Sequence, residues 1–328
     1  MTAPPRPPAL VTLGEALATL TPTGIGPLRT ARTLELGLAG AETTVAIGVR
    51  RLGHPTAWIG RLGADELGAH LRRTLKAEDV ALPGPEDHEA PTAVMFKERR
   101  TAGARRVHYL RRDSAGSRLT PADLPDGLVE RARVLHTSAI TTALSPSAAD
   151  TVRTAVARAR RAGVTVSFDA NHRASLWTRE AARTAVLPLL AHVDLLFAGL
   201  DEAHLLLGHD SEGAGTHDTP EGLARALHGL GPATVVLTRG RAGAVSVGPD
   251  GTHRQPALSV PEVDPVGAGD SFVAGYLAAL LDGTDAPGRL ALGARVAAFS
   301  VSAHGDWEGL PDRSELTLPL DAPGTVLR

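Results

Sequence analysis

Short apolar runs alternate along this chain with longer stretches in which apolar residues recur every three or four positions. The runs at residues 10–13, 57–59, 134–135, 164–168, 195–197 and 235–237 predict buried strands. The periodic stretches at residues 146–161, 180–190, 220–230, 270–281 and 289–303 predict amphipathic helices. Repeated strand-then-helix order implies a mostly parallel sheet, because parallel neighbours need long crossovers and those crossovers cover both faces. A single α/β domain is expected over residues 1–328.

Two regions break this rhythm. Residues 17–40 are rich in Thr, Gly and Pro without helical periodicity, and residues 92–112 read as strand, turn at 101–104, strand. Both suit a small β-sheet lid built from about residues 15–45 and 90–112. The polar, Gly-rich stretch 208–218 reads as a surface loop. Residues 1–8 carry prolines and one arginine but no apolar segment, and are expected to form a disordered leader rather than a signal peptide.

Composition narrows the functional classes. With 43% hydrophobic and 21% charged residues the chain has material for a packed core. Its 34 basic and 36 acidic side chains nearly cancel, so no overall field draws it to nucleic acid or an anionic membrane. No cysteine is present, which excludes disulfides, thiolate nucleophiles and Cys-ligated metals. Lysine occurs only at Lys76 and Lys97, neither in a P-loop context, so a P-loop NTPase is excluded. No apolar run approaches a membrane span. A cytoplasmic, soluble protein is expected. The histidines lack metal-ligand spacing, and Trp58 and Trp177 are expected to be packing residues.

Chemistry concentrates at Val263-Asp264-Pro265-Val266-Gly267-Ala268-Gly269-Asp270, followed by a helical pattern. Small residues ahead of a helix let bare backbone N–H groups face an anion, with the helix N-terminus adding partial positive charge. Asp270 is either a first-turn residue complementing the helix dipole or, facing a transferring phosphoryl group, a general base. Read alone, the glycine run is equally compatible with an ordinary capped helix. Its context decides.

Ala39-Gly40-Ala41-Glu42-Thr43-Thr44-Val45-Ala46-Ile47-Gly48 closes at Leu52-Gly53, and Gly60-Arg61-Leu62-Gly63-Ala64-Asp65-Glu66-Leu67-Gly68 follows. With residues 264–270 these segments resemble the PfkB/ribokinase family of carbohydrate kinases over almost the whole chain. The resemblance implies a ribokinase-like three-layer α/β/α fold. It makes Gly267, Ala268 and Gly269 part of an anion hole and Asp270 the catalytic base. Thr12-Leu13-Gly14-Glu15, Phe96-Lys97-Glu98, Leu135-His136-Thr137-Ser138-Ala139-Ile140, Phe168-Asp169-Ala170-Asn171-His172-Arg173 and Gly305-Asp306-Trp307 are most similar to 2-keto-3-deoxygluconate kinases.

By that resemblance Tyr109, Arg111, Arg173 and Asp306 hold a sugar acid, with Gly40 and Ile140 touching it. Charge agrees in sign, since two arginines suit a carboxylate, although Arg111 also reads as a solvated hairpin charge and Arg173 as a loop ion pair. Thr238-Arg239-Gly240-Arg241-Ala242-Gly243-Ala244 is similar to the family's ATP loop and also reads as a β-turn between strands. Glu202 stands where the family's glutamate orders Mg²⁺ through water. A monovalent cation stays open as an addition to ATP and Mg²⁺, and the lid as a homodimer surface. Ala39, Thr44, Met95, Gly199 and Ala294 depart from the family pattern. The reading is therefore an ATP-dependent sugar-acid kinase. The alternatives are a kinase for a neutral sugar or nucleoside, and a catalytically silent sugar-binding protein.

Overall fold

The structure, a computed structural model, describes residues 7–101, 104–209 and 219–320. Residues 1–6 of the expected leader, 210–218 of the expected loop and 102–103 of the expected turn lie outside these. The strands are β1 (Leu10–Leu13), β2 (Leu17–Pro22), β3 (Leu34–Ala39), β4 (Thr56–Ile59), β5 (Leu62–Gly63), β6 (Glu86–Asp87), β7 (Ala93–Arg99), β8 (Arg105–Leu110), β9 (Val134–Ser138), β10 (Thr165–Asp169), β11 (Leu195–Gly199), β12 (Thr234–Thr238), β13 (Ala244–Gly248) and β14 (Gly251–Gln255). The helices are α1 (Ala41–Arg51), α2 (Glu66–Ala77), α3 (Ala139–Leu144), α4 (Pro146–Arg161), α5 (Arg179–Leu190), α6 (Leu200–Leu207), α7 (Pro220–His228), α8 (Ala268–Leu281) and α9 (Ala286–Val301).

Eight strands form the central sheet in the order β14-β13-β12-β11-β10-β9-β1-β4. It is parallel from β12 to β4, and β13 and β14 add an antiparallel hairpin at one edge. Alternate strand residues feed two cores. Val11, Leu13, Leu196, Val235 and Leu237 pack with α4 to α7 on one face. Leu10, Leu195, Phe197 and Val236 pack with α1, α8 and α9 on the other. Burial on both faces is why these strands read as unbroken apolar runs. Trp58 packs in a third cluster and Trp177 against the first.

A second sheet of four strands, ordered β3-β2-β7-β8, stands apart. It occupies only part of the 15–45 stretch expected for it, because Ala41 opens α1. Leu17, Ala39, Ala93 and Met95 pack with Tyr109 on one face. On the other, Ala18 and Leu38 bury against the main body. Farther out on that side Leu34, Leu36 and Leu110 are exposed. Among the described residues no helix is long and apolar enough to cross a membrane.

Candidate active site

Helix α8 begins at the carboxyl-end side of the central sheet, where open α/β sheets bind ligands. Its cap residue Gly267 has φ 77°, and a Cβ there would lie 2.4 Å from the Asp306 carbonyl oxygen. Only glycine fits. Asp264 Oδ1 accepts the Val266 N–H at 3.1 Å, which shapes the approach to the helix. The Ala268 N–H donates to the Pro265 oxygen at 3.3 Å, whereas the amides of Gly267, Gly269 and Asp270 have no backbone acceptor among the described residues. A Cβ on Gly269 would point into open space. These amides form the anion-binding end of the helix.

Asp270 lies in the first turn of α8, and Asn171 Nδ2 donates to its Oδ1 at 3.3 Å. Burial pushes its carboxyl up to about 7; Arg173 opposes that, the charges of Glu42 and Asp306 add to it, and the Asn171 hydrogen bond opposes it. A carboxyl poised there can accept a hydroxyl proton near neutrality.

The turn after β10 brings further groups to the cleft. Asn171 has a positive φ of 22°, and its N–H donates to Asp169 Oδ1 at 3.0 Å. Burial drives the Asp169 carboxyl well above its ordinary range, with the charges of Glu202 and Asp270 adding to the effect. Glu202 Oε1 accepts the His172 N–H at 2.9 Å, and its Oε2 accepts the Gly199 N–H, capping α6. Arg173 lines this cleft, and among the described residues its guanidinium makes one hydrogen bond, to the His172 oxygen at 3.3 Å. Asp169, Glu202 and Asp270 line one cavity of about 340 Å³. Among the described residues no three such side chains are placed to hold a metal ion together; Mg²⁺, which needs few protein ligands and keeps most of its waters, fits beside Glu202 through water.

The sugar-side residues meet around two buried glutamates. Arg111 pairs with Glu15, and its guanidinium lies 5.1 Å from the Tyr109 ring centroid. Ser114 Oγ also donates to Glu15, at 3.2 Å. Gly40 has φ 152°, and a Cβ there would approach the Glu15 carbonyl oxygen to 2.5 Å. Ile140 lies in the first turn of α3, its N–H donating at 3.2 Å to Ser138 Oγ, which in turn donates to Glu42 Oε1 at 2.6 Å. Asp306 pairs with Lys97 of β7. Thus Arg111 and Asp306, expected to face a ligand, each carry a counter-ion from the protein itself.

A neighbouring cavity of about 420 Å³ is lined by Thr238, Gly240, Arg241, Gly243, Phe272 and Ala294, among others. It shares Thr238, Pro265, Ala268 and Gly269 with the cavity at Asp270, so a ligand spanning both would run from the α9 wall to the helix start. Gly243 has φ 87°, and a Cβ would fall 2.0 Å from the Gln255 oxygen. Arg239 donates its N–H to the Gly243 oxygen at 2.8 Å, closing the turn over Ala242. Arg241 pairs with Glu262 at 2.8 Å, and Ala244 begins β13 inside the core.

Residues 8–313 match the family model for the pfkB family carbohydrate kinases. The chain belongs to that family. It is 35% identical to a 2-dehydro-3-deoxygluconokinase of Bacillus subtilis (strain 168) over 320 residues, 96% of each chain. A crystal structure of a PfkB protein from Polaromonas sp. JS666 superposes with a TM-score of 0.84 at 35% identity, covering 95% of this chain and 100% of that one. A putative Ribokinase II of E. coli in complex with ATP and Mg²⁺ gives 0.84 at 25% identity, covering 94% and 97%. The fold is ribokinase-like, and the protein is an ATP-using carbohydrate kinase similar to 2-dehydro-3-deoxygluconokinases.

Several residues at this site escaped sequence reasoning as functional candidates: Asp169, Asn171 and the wall at Ala257, Leu258 and Ser259 line the two cavities, and Glu15, Glu42 and Lys97 stand behind them as partners of Arg111, Ser138 and Asp306. For Asp169 and Asn171 a signal existed, since both stand at the carboxyl end of a predicted parallel strand.

Proposed function

We propose that this kinase transfers the terminal phosphoryl group of ATP to the primary hydroxyl of 2-keto-3-deoxygluconate or a close relative. The observation that carries the reading is unspent arginine capacity beside the base. Among the described residues the guanidinium of Arg173, which lines the cavity at Asp270, makes one hydrogen bond, to the neighbouring His172 carbonyl. A substrate carboxylate and its adjacent keto oxygen are acceptors of the kind such donors need.

In this reading Asp270 takes the proton from the acceptor hydroxyl, and the amides of Gly267, Gly269 and Asp270 receive the phosphoryl oxygens as charge develops. Mg²⁺, held through water by Glu202, would supply charge neutralisation of the phosphates. The nucleotide base lies in the cavity walled by Phe272 and Ala294. The small sheet acts as a lid, keeping water from the phosphoryl group. Its outer side, with Leu34, Leu36 and Leu110 exposed, is the surface proposed for pairing with a second copy, which sedimentation of wild type against Leu36→Glu tests.

A second reading, a kinase for a neutral sugar, draws on the Arg111–Glu15 pair, which already neutralises one arginine. Product formation from a panel containing 2-keto-3-deoxygluconate, 2-keto-3-deoxygalactonate, gluconate, fructose and ribose separates the two. The sugar-acid reading expects the keto-deoxy acids to give the highest kcat/KM. A neutral sugar in first place overturns it.

A further inference from the structure

We propose that Lys97 is a positioning residue that couples seating of the small sheet to assembly of the anion hole. The cleft-facing side of β7 carries Met95 and Lys97 in alternation, and the Lys97 ammonium reaches Asp306 across 209 residues of sequence. Both side chains are largely buried, at 15% and 9% exposure. Burial pushes the Asp306 carboxyl up, and the Lys97 ammonium opposes that shift.

The backbone of Asp306 is the wall on which Gly267 rests, with no room for even a Cβ between them. Displacing Asp306 therefore displaces the first amide of the anion hole. Other contacts hold the same short segment. Glu308 Oε1 lies 3.8 Å from the position a Cβ on Gly37 of β3 would take. From the body side, Arg51 sits 5.3 Å from the Trp307 ring centroid and donates to the Leu310 oxygen at 2.6 Å. Residues 305–308 are thus clasped between small sheet and body, and they face Gly267. A chain of packed contacts connects β7 to the amide that meets the phosphoryl group. Lys97 supplies its one ionic joint among the described residues.

The inference rests on phosphoryl transfer at Asp270 but not on the identity of the sugar. Lys97→Met keeps the length of the side chain and removes the charge; Lys97→Arg restores the charge. Each is compared with wild type on whichever sugar wild type accepts, with nucleotide-binding stoichiometry correcting for the folded fraction. Lys97→Met is expected to lose about 100-fold in kcat. Its KM for ATP stays within about threefold of wild type. More ADP forms per phosphorylated product, and Lys97→Arg recovers most of kcat. In parallel, hydrogen exchange with a non-hydrolysable ATP analogue should show protection of the 267–270 amides in wild type and Lys97→Arg but not in Lys97→Met.

Normal kcat and coupling in Lys97→Met, or equal amide protection in all three proteins, overturns the proposal. Wild type inactive on sugar acids but active on a neutral sugar overturns the substrate reading instead, and the exchange experiment still decides the role of Lys97.

Discussion

Asp270→Asn keeps the shape of the side chain and an oxygen for Asn171 while removing the charge, so it tests the base and the cost of burying it together. Burial, with Glu42 and Asp306, holds the folded carboxyl at about 7 against an ordinary value of 3.8. Between those values the folded state retains a proton that the unfolded state has released. Wild-type stability therefore falls as pH rises from about 4 to about 7 and is level above that. About three pKa units correspond to about 4 kcal/mol. The residue is only half-buried against the cleft, and solvent screening brings this to about 2 kcal/mol. Asparagine, neutral throughout, escapes the loss. Differential scanning calorimetry should find the two proteins equal near pH 3 and the variant about 4 °C higher at pH 8, at about 2 °C per kcal/mol for a chain this long. Turnover of the variant falls by about 10²–10⁴-fold, and wild-type kcat/KM climbs about tenfold per pH unit until it flattens near 7. An equal gap in Tm at both pH values refutes the electrostatic reasoning, and retained turnover refutes the base.

Arg111→Ala strands Glu15 without its counter-ion in a buried site and should cost about 3–5 kcal/mol in urea unfolding. Adding Glu15→Gln should return most of it, and a double variant as unstable as the single one contradicts the pairing argument. Gly267→Ala places a methyl 2.4 Å from the Asp306 oxygen at a φ of 77°. It should cut kcat by about 100-fold while calorimetric nucleotide affinity changes little, and an unchanged kcat dismisses the close fit. Arg173→Ala, assayed at about pH 9 so that loss of the arginine's charge beside the Asp270 carboxyl does not enter, should raise KM for a sugar acid by about 10–100-fold and leave any residual turnover of fructose alone. An equal loss on both substrates assigns Arg173 to the nucleotide instead.

What the chain disclosed beforehand follows the locality of the forces. The parallel strands are apolar on both faces, so each announced itself within four or five residues. Helix α4 was placed to the residue because Ser145 caps it, Pro146 opens it and its apolar positions repeat through Ala159. Helix α9 begins three residues ahead of the expected start because Asp285 accepts the Gly288 N–H at 3.0 Å, a cap hidden by the weak periodicity that follows. The edge strand β14, Gly-Thr-His-Arg-Gln, is polar along its length and takes its conformation from pairing with β13, which no local pattern records. In α1, Thr43, Thr44, Val45 and Ile47 favour extended backbone; packing on α8, close enough that a Cβ on Gly48 would fall 2.6 Å from Ala274 Cβ, overrides that preference.

The site divides along the same line. The glycine turn ahead of α8 was legible because its close approach to Asp306 demands glycine at position 267, and the proposed base Asp270 ends that run. The negative charge expected of the substrate came from the family resemblance, and the arginines that agreed with it were counted without their partners. Glu15 lies 96 residues from Arg111 and Lys97 lies 209 from Asp306, so neither pairing leaves a mark on local sequence. A buried arginine paired with a buried glutamate is a neutral unit and adds no net charge to the cleft. In the sugar-acid reading the charge left to meet a substrate carboxylate is therefore that of Arg173, which lines the cavity at Asp270. The substrate panel and the Arg173→Ala comparison test that proposal from the ligand side and from the protein side.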